Sequence, residues 1–162
     1  DTDYEFYVLR INQGGGDTSP NFCDSVRVSY EGNLMDGNIF DSSINPTDFD
    51  LIATISGWGK VISQFNNAES FNINDDGTVS YINPGIGVMF LPSGLAYFSS
   101  SAGSVHVYSN LIFKFKLFFL FIKFDFFVLY NPCFQYLVPH RYFPNAYNLK
   151  WEESVYNFHY HL

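Results

Sequence analysis

The sequence is poor in charge, and above all in basic residues. Only 15% of its 162 residues are charged, and eight basic side chains stand against sixteen acidic ones, which gives a net charge of −8. Nucleic acids and anionic membrane surfaces bind basic faces, so this deficit argues against both kinds of partner. Hydrophobic residues make up 47% of the chain. The length predicts one domain that can bury a core, with room for a tail.

Cysteines and long hydrophobic runs are also scarce. Cys23 and Cys133 lie far apart and match no CxxC spacing of a metal or redox site. Two unrelated thiols are the favoured interpretation, and a disulfide between them is the alternative. The most apolar segment, 111–130, is interrupted by charges, and its longest uncharged piece is the six residues 117–122. A membrane-spanning helix needs about 20 residues, so we expect none, and no secretion signal is visible in this chain.

Two candidate metal sites in the sequence lack the ligands that would complete them. His159 and His161 lie two residues apart near the C-terminus, but no third ligand is positioned to complete a metal site with them. The segment Asp75-Asp76-Gly77 resembles a fragment of a calcium loop, yet the remaining oxygen ligands are missing, so a hairpin turn is the better interpretation. We expect neither a metal nor a cofactor.

The most informative stretch that is present is 26–43, VRVSYEGNLMDGNIFDSS. Apolar and polar residues alternate over its first six positions, which is typical of a half-buried strand. Asp36-Gly37 is a pair suited to a tight hairpin turn. Ile39 and Phe40 then resume the apolar pattern, and we expect Asp41-Ser42-Ser43 to end the strand.

Further strands follow from composition and alternation. We predict strands over 4–11, around Phe49 and Leu51 after a loop at 45–48, over 88–91 and over 111–117. The single helix is predicted over Lys60–Phe65, after the segment ISGWG. Residues 66–90 form an insertion, in which the runs around Phe71 and Val79 should pair as a hairpin across the turn at Asp76-Gly77.

The composition changes at Phe118. Residues 118–162 contain 16 of the 33 aromatic residues and none of the 12 glycines, and their three basic and three acidic side chains cancel. The segment shows no stable period and no capping signals. We therefore predict two parts, a folded domain over 1–117 and an atypical aromatic tail over 118–162 that is an out-of-frame or poorly ordered extension. The alternative is an aromatic extension that packs on the sheet.

Five blocks of this sequence occur in an order that is specific to one family. They are the stretch 26–43, Phe49, TISGW at 54–58, LPSGLAYF at 91–98 and NLIFKFKL at 110–117. Together they resemble the FKBP-type peptidyl-prolyl isomerases, in a variant similar to Bacteroidetes envelope proteins. The resemblance implies an α+β fold in which an antiparallel sheet of five or six strands wraps around one short helix. It also implies a ligand pocket between that helix and the concave face of the sheet.

The resemblance also implies roles for individual residues. Trp58 would be the floor under the proline ring, Asp41 a polar wall, and Tyr97 a hydroxyl donor to a substrate carbonyl. The backbone N–H of Ile55 would hold a second carbonyl, and Val105 would supply an apolar lip. The remaining walls would be aromatic: Tyr30, Phe40, Phe49 and Phe113. Without the resemblance, aromatic residues at strand spacing are more often plain core.

The implied activity is cis–trans isomerisation of X–Pro bonds in protein substrates, assisting folding in a bacterial cell envelope, either in the periplasm or on a lipid anchor. Proline-containing polypeptides are the implied partners, and macrolide immunosuppressant-type ligands would fit the same pocket. The alternative is a non-catalytic module of the same fold that binds prolyl segments or acts as a chaperone. Two departures favour it: Phe98 stands where many relatives have glycine, and Val105-His106-Val107 replaces an Ile-Pro-Pro-like segment.

Overall fold

A computed structural model describes residues 4–121, which belong to one compact unit spanning Asp1–Phe124. These residues form seven strands, one α-helix and two short 3₁₀-helices. The strands are β1 (Tyr7–Asn12), β2 (Ser25–Leu34), β3 (Ile39–Asp50), β4 (Ser70–Ile73), β5 (Val79–Ile82), β6 (Gly85–Leu91) and β7 (Leu111–Phe121). The helix, α1, is Ser56–Ile62, and the 3₁₀-helices are Leu51–Ala53 and Ser93–Leu95.

Five strands form one antiparallel sheet in the order β1-β6-β7-β2-β3, and β4 and β5 form a separate pair. One face of the large sheet packs against α1, and the core lies between them. Along most of β2 and β7, every second residue contributes to this core. The buried residues include Val26 and Val28 of β2 and Leu111, Phe113 and Phe115 of β7. The predicted fold class, a sheet wrapped around one short helix, is confirmed.

Helix α1 begins four residues earlier and ends three residues earlier than predicted. It runs over Ser56–Ile62 and includes Gly57 and Gly59, whereas the predicted helix was Lys60–Phe65. Glycine is a poor helix former, which is why the sequence pattern pointed further along the chain. Packing overrides that preference at Gly57, where a Cβ would lie 2.5 Å from Cδ1 of Leu91. Only glycine lets the helix approach β6 this closely.

Strand β3 is longer than predicted. It continues unbroken from Ile39 to Asp50 through the segment 45–48 that we expected to be a loop, and Asp41-Ser42-Ser43 does not end it. The register against β2 shifts between Tyr30↔Ser43 and Val28↔Thr47, so an irregularity absorbs the extra residues. Because β3 is an edge strand, its proline at position 46 interrupts no central ladder.

Strand β7 also continues past its predicted end at Leu117, as far as Phe121. The register against β2 shifts between Arg27↔Phe119 and Val28↔Leu117, which leaves Phe118 as a bulge. Phe118 is buried, and its ring stacks on Tyr81 at a centroid distance of 4.5 Å. The first four residues of the predicted tail, 118–121, therefore belong to β7. Residues 122–162, including Cys133 and both C-terminal histidines, lie outside the described part of the chain.

The hairpin predicted within the insertion is present. Strands β4 and β5 pair through Phe71↔Tyr81 and Ile73↔Val79 around the turn at Asp76-Gly77. Asp76 accepts hydrogen bonds from the backbone N–H and the hydroxyl of Thr78, at 2.9 Å and 2.6 Å. These bonds lower the pKa of the Asp76 carboxyl. The acid stabilises a tight turn here, in agreement with the hairpin interpretation of this segment.

Cys23 is buried in the loop before β2. Because Cys133 lies outside the described residues, the interpretation of the two cysteines as unrelated thiols stays a prediction. Within residues 4–121, no helix is long and apolar enough to cross a membrane.

Candidate functional site

A cavity of about 580 Å³ opens between the N-terminal end of α1 and the concave face of the sheet. Strands β2, β3 and β7 supply one side of it, the segment 53–58 supplies its floor, and the loop after the second 3₁₀-helix supplies the opposite side. The residues that line it are Tyr30, Asp41, Asp48, Phe49, Asp50, Ala53, Thr54, Ile55, Trp58, Tyr97 and Phe113. Seven of the nine residues predicted from the sequence are among them.

Trp58 lies at the centre of the floor, and only 4% of it is exposed. Its ring meets three aromatic walls edge to face: Tyr30 at 5.6 Å, Phe49 at 5.6 Å and Phe113 at 5.4 Å between centroids. Aromatic pairs prefer this tilted geometry because the positive edge of one ring faces the negative face of the other. The four rings therefore hold one another in place and leave an apolar surface on which a small ring can rest.

Phe40 supports this surface from behind. Its ring packs edge to face on Phe113 at 5.5 Å, but it is not among the residues that line the cavity. Gly32, on the neighbouring strand β2, makes room for both rings, because a Cβ there would lie 2.7 Å from Phe40 and 2.9 Å from Phe113. Phe40 therefore reaches the cavity only through Phe113.

Asp41 lies among the residues that line the cavity. The hydroxyl of Tyr30 donates a hydrogen bond of 2.6 Å to Oδ2 of Asp41, so the carboxylate is fixed by a neighbour from the adjacent strand. Burial, and then this hydrogen bond, raise the pKa of Tyr30 above its ordinary value. The hydroxyl therefore stays protonated and keeps donating throughout the neutral range. The carboxylate is exposed, with acceptor capacity left for other groups.

Tyr97 and Val105 lie on the loop that borders the cavity opposite the sheet, but they have different surroundings. Tyr97 lines the cavity. Val105 is 1% exposed and belongs to the hydrophobic core, where it pairs with Ala102 through two backbone hydrogen bonds of 2.9 and 3.1 Å. In this position Val105 anchors the loop and is not among the residues that line the cavity, and its role as a lip stays a prediction from the family resemblance.

Sequence reasoning did not identify the acidic rim. Asp48 forms a bidentate ion pair with Arg27, with N–O distances of 2.7 and 2.8 Å, and the hydroxyl of Ser25 donates to Asp50. The hydrogen bond from Arg27 lowers the pKa of the Asp48 carboxyl. From the sequence, Asp48 is assigned to the loop at 45–48 and Asp50 to a short strand around Phe49 and Leu51. Ala53 carries no signal in the sequence; it ends a 3₁₀-helix that brings it and the following Thr54 to the rim.

A second groove, of about 560 Å³, lies on the other side of the first 3₁₀-helix, lined by residues that include Phe22, Ile52 and Lys60. It contains none of the residues predicted for the site. Within residues 4–121, no three His, Cys, Asp or Glu side chains are grouped so that they could hold a metal ion. The first cavity offers aromatic surfaces, the carboxylates of Asp41, Asp48 and Asp50, and the hydroxyls of Tyr30 and Tyr97.

A short helix wrapped by a five-stranded antiparallel sheet, with a tryptophan floor under an aromatic cavity, defines an FKBP-like domain. No protein-family model matches the chain. Curated proteins do match it. The chain is 32% identical over 111 residues to the FKBP-type 22 kDa peptidyl-prolyl cis-trans isomerase of Escherichia coli, covering 66% of this chain and 46% of the relative. It is 32% identical over 117 residues to the peptidyl-prolyl cis-trans isomerase Mip of Coxiella burnetii, covering 70% and 43%.

Solved structures agree. A peptidyl-prolyl cis-trans isomerase from Pseudomonas syringae superposes with a TM-score of 0.59 at 25% identity, over 72% of this chain and 76% of that one. The chain belongs to the family of FKBP-type peptidyl-prolyl cis–trans isomerases. It spans less than half the length of the curated relatives named above.

Proposed function

We propose that this chain catalyses the cis–trans isomerisation of X–Pro bonds in polypeptides. The observation that supports this most is the cavity itself, in which Trp58 lies under Tyr30, Phe49 and Phe113 beside a fixed carboxylate. A proline ring is small, apolar and flat on one side, so it suits a floor of this kind. The curated relatives, which carry the same activity in their names, support the proposal independently.

The reaction needs no nucleophile. Resonance gives the peptide bond partial double-bond character and a rotation barrier of about 18–20 kcal/mol. In the twisted transition state that resonance is lost, and the amide becomes less polar than the planar form. An apolar cavity therefore favours the twisted state relative to water. An acceleration on the order of 10⁶ would require about 8 kcal/mol of differential binding.

Three groups would orient the substrate on this floor. The Asp41 carboxylate, held by Tyr30, would make the polar contact near the rotating amide. Tyr97 would donate its hydroxyl to one substrate carbonyl, and the backbone N–H of Ile55 would hold another. Ile55 is the N-cap residue of α1, and its own carbonyl accepts the N–H of Trp58 at 3.0 Å. This bond ties the proposed donor to the floor residue.

The proposed substrates are proline-containing polypeptides, and the same aromatic cavity would accept macrolide-type ligands. The resemblance to the Bacteroidetes variant favours an envelope location, where the activity would assist the folding of other proteins. We propose further that the isomerase domain extends to Phe121 and not to Leu117, because Phe118 and Leu120 are both buried.

A non-catalytic binding module remains the second candidate. Two observations favour it. Phe98, where many relatives have glycine, has a φ of +51°, and Val105 lies in the core and is not among the residues that line the cavity. Both residues belong to the loop that carries Tyr97. They therefore affect how well that loop would hold a substrate carbonyl. The aromatic floor and Asp41 are common to both candidates.

A protease-coupled assay on the full chain separates the candidates. The protease cleaves only trans X–Pro peptides. If the chain is an isomerase, cleavage should therefore become faster in proportion to its concentration. Peptide affinity is measured in parallel by calorimetry. Phe71→Ala removes an exposed aromatic ring from the hairpin of β4 and β5, outside the cavity. It is a control that should change neither the cleavage rate nor the peptide affinity. Peptide binding without any acceleration would leave the binding module as the function.

A further inference from the structure

The loop that carries Tyr97 contains two backbone outliers. We call residues 98–108 the flap. Within the described residues, three residues other than glycine have a positive φ: Asn83, Phe98 and Tyr108. Asparagine tolerates this region of conformational space, but bulky aromatic residues rarely occupy it. Two of the three therefore stand at the two ends of one loop, at +51° for Phe98 and +60° for Tyr108.

Neither residue is buried in the core, so core packing does not offset its unfavourable backbone conformation. Phe98 is 48% exposed and Tyr108 is 61% exposed. They contact each other instead. Their rings meet edge to face at 5.5 Å with an interplanar angle of 88°, and the N–H of Tyr108 donates to the carbonyl of Phe98 at 2.7 Å. An outlier of this kind persists only where its surroundings hold it in place, and such positions cluster at functional sites.

The paired residues close the flap directly beside the cavity. Tyr97, which lines the cavity, precedes Phe98 without an intervening residue, and the N–H of Phe98 donates to the carbonyl of Ser93 at 2.9 Å. On the other side of the flap, Val105 is anchored in the core. The backbone direction at Tyr97 is therefore fixed by Phe98, and Phe98 is held in turn by Tyr108.

We propose that Phe98 and Tyr108 form a latch that positions the Tyr97 hydroxyl over the prolyl cavity. This rests on the proposed function, because the latch acts on substrate only through Tyr97. Glycine at position 98 would free the backbone but remove one ring of the pair. The chain thus holds an unfavourable backbone conformation together with a ring contact that glycine cannot make. Both residues are positioning residues, and neither lines the cavity.

The test compares two replacements at one site in the full chain. Phe98→Ala removes the ring and keeps the strained backbone, whereas Phe98→Gly removes both. The latch predicts that each lowers kcat/KM for a chromogenic X–Pro peptide by about five-fold, mainly through a higher KM. Tyr108→Ala should do the same, and Tyr108→Phe, which keeps the ring, should restore the wild-type value. Phe71→Ala, with a similarly exposed ring on β4, should have no effect.

A second comparison asks whether the latch acts through Tyr97. In a Tyr97→Phe background, Phe98→Ala should change kcat/KM by less than about two-fold, because the hydroxyl that it positions is already gone. An equal loss in both backgrounds would overturn the proposal, and so would a Phe98→Gly variant that is as active as wild type. Either result would reduce the ring pair to local structure.

The same variants separate failure of the latch from failure of the proposed function. If wild type binds the peptide without accelerating isomerisation, only the proposed function fails, and the latch is then judged from peptide dissociation constants measured by calorimetry. The same five-fold weakening with Phe98→Ala, absent in the Tyr97→Phe background, is expected there. If wild type neither binds nor accelerates, both proposals are contradicted.

Discussion

The two sides of the cavity are built in different ways. On the sheet side, Tyr30 and Phe113 lie on β2 and β7, strands paired with each other over ten residues, and their rings meet Trp58. On the flap side, Tyr97 precedes a loop that is held by a few turn hydrogen bonds and by two aromatic residues with positive φ. Regular long-range strand pairing fixes the sheet side. Local turns and two unusual backbone conformations fix the flap side.

This difference predicts where function can vary without loss of the fold. A ring on the sheet side belongs at once to the core and to the cavity, so changing it affects stability and binding together. A ring on the flap is exposed, so changing it should affect binding far more than stability.

The largest expected effect is on the floor. Trp58→Ala removes a side chain that is 4% exposed and that meets three other rings edge to face. We expect the free energy of unfolding to fall by about 3–5 kcal/mol, as measured by denaturant titration. The matched change on the flap, Phe98→Ala, should cost less than about 1.5 kcal/mol. Similar losses for the two variants would mean that the flap is as integral to the core as the floor is.

The next effect compares two glycines of α1. A Cβ at Gly57 would lie 2.5 Å from Cδ1 of Leu91 and 2.9 Å from the carbonyl oxygen of Leu95, so Gly57→Ala should lower the free energy of unfolding by about 1–3 kcal/mol. At Gly59 the nearest atom is Cβ of Phe22, at 3.6 Å. Gly59→Ala should therefore stabilise the helix by about 0.5–1 kcal/mol. Thermal melting measures both changes, and the same sign for both would contradict the close approach of α1 to β6.

The smallest effect is the pH dependence of the sheet side. Burial and the hydrogen bond to Asp41 raise the pKa of Tyr30 in the folded state, so the unfolded chain loses this proton first as pH rises. The stabilisation is complete below the ordinary tyrosine pKa of about 10 and is lost as pH rises above it. Melting temperatures measured from pH 8 to 11 should therefore fall less steeply in Tyr30→Phe than in wild type.

Tyr7→Phe is the control for this measurement, because Tyr7 is 68% exposed on β1. It should keep the alkaline slope of wild type. Equal slopes in the Tyr30→Phe and Tyr7→Phe variants would contradict the raised pKa of Tyr30 in the folded state.

The sequence predicted those parts of the fold in which side-chain period and pairing agree. The turn at Asp36-Gly37 and the hairpin of β4 and β5 were recognisable because alternating residues flank a turn pair. The prediction for β7 stopped at Leu117 because the bulge at Phe118 reverses the alternation there: Leu117, Phe118 and Leu120 are all buried. A period-2 pattern cannot cross such a bulge, although the strand does.

Other features depend on contacts between distant parts of the chain. The start of α1 was missed because helix propensity penalises Gly57, and only the contact with Leu91 explains that glycine. The ring pair of Phe98 and Tyr108 joins residues ten apart in an irregular loop, where no period exists to predict it. The cavity residues came from the family resemblance, since aromatic residues at strand spacing do not by themselves distinguish a cavity from a core.

The central claim is that the cavity binds the twisted prolyl amide better than the planar one, with Asp41 as its polar contact. The most direct measurement is the cis–trans exchange rate of an X–Pro peptide at equilibrium, followed by NMR with the full chain and with its Asp41→Ala variant. We expect acceleration by wild type and about ten-fold less by the variant. The melting temperatures of the two should agree within a few degrees, because Asp41 is exposed. Equal acceleration by the two proteins, or a collapse of the melting temperature in Asp41→Ala, would contradict the central claim.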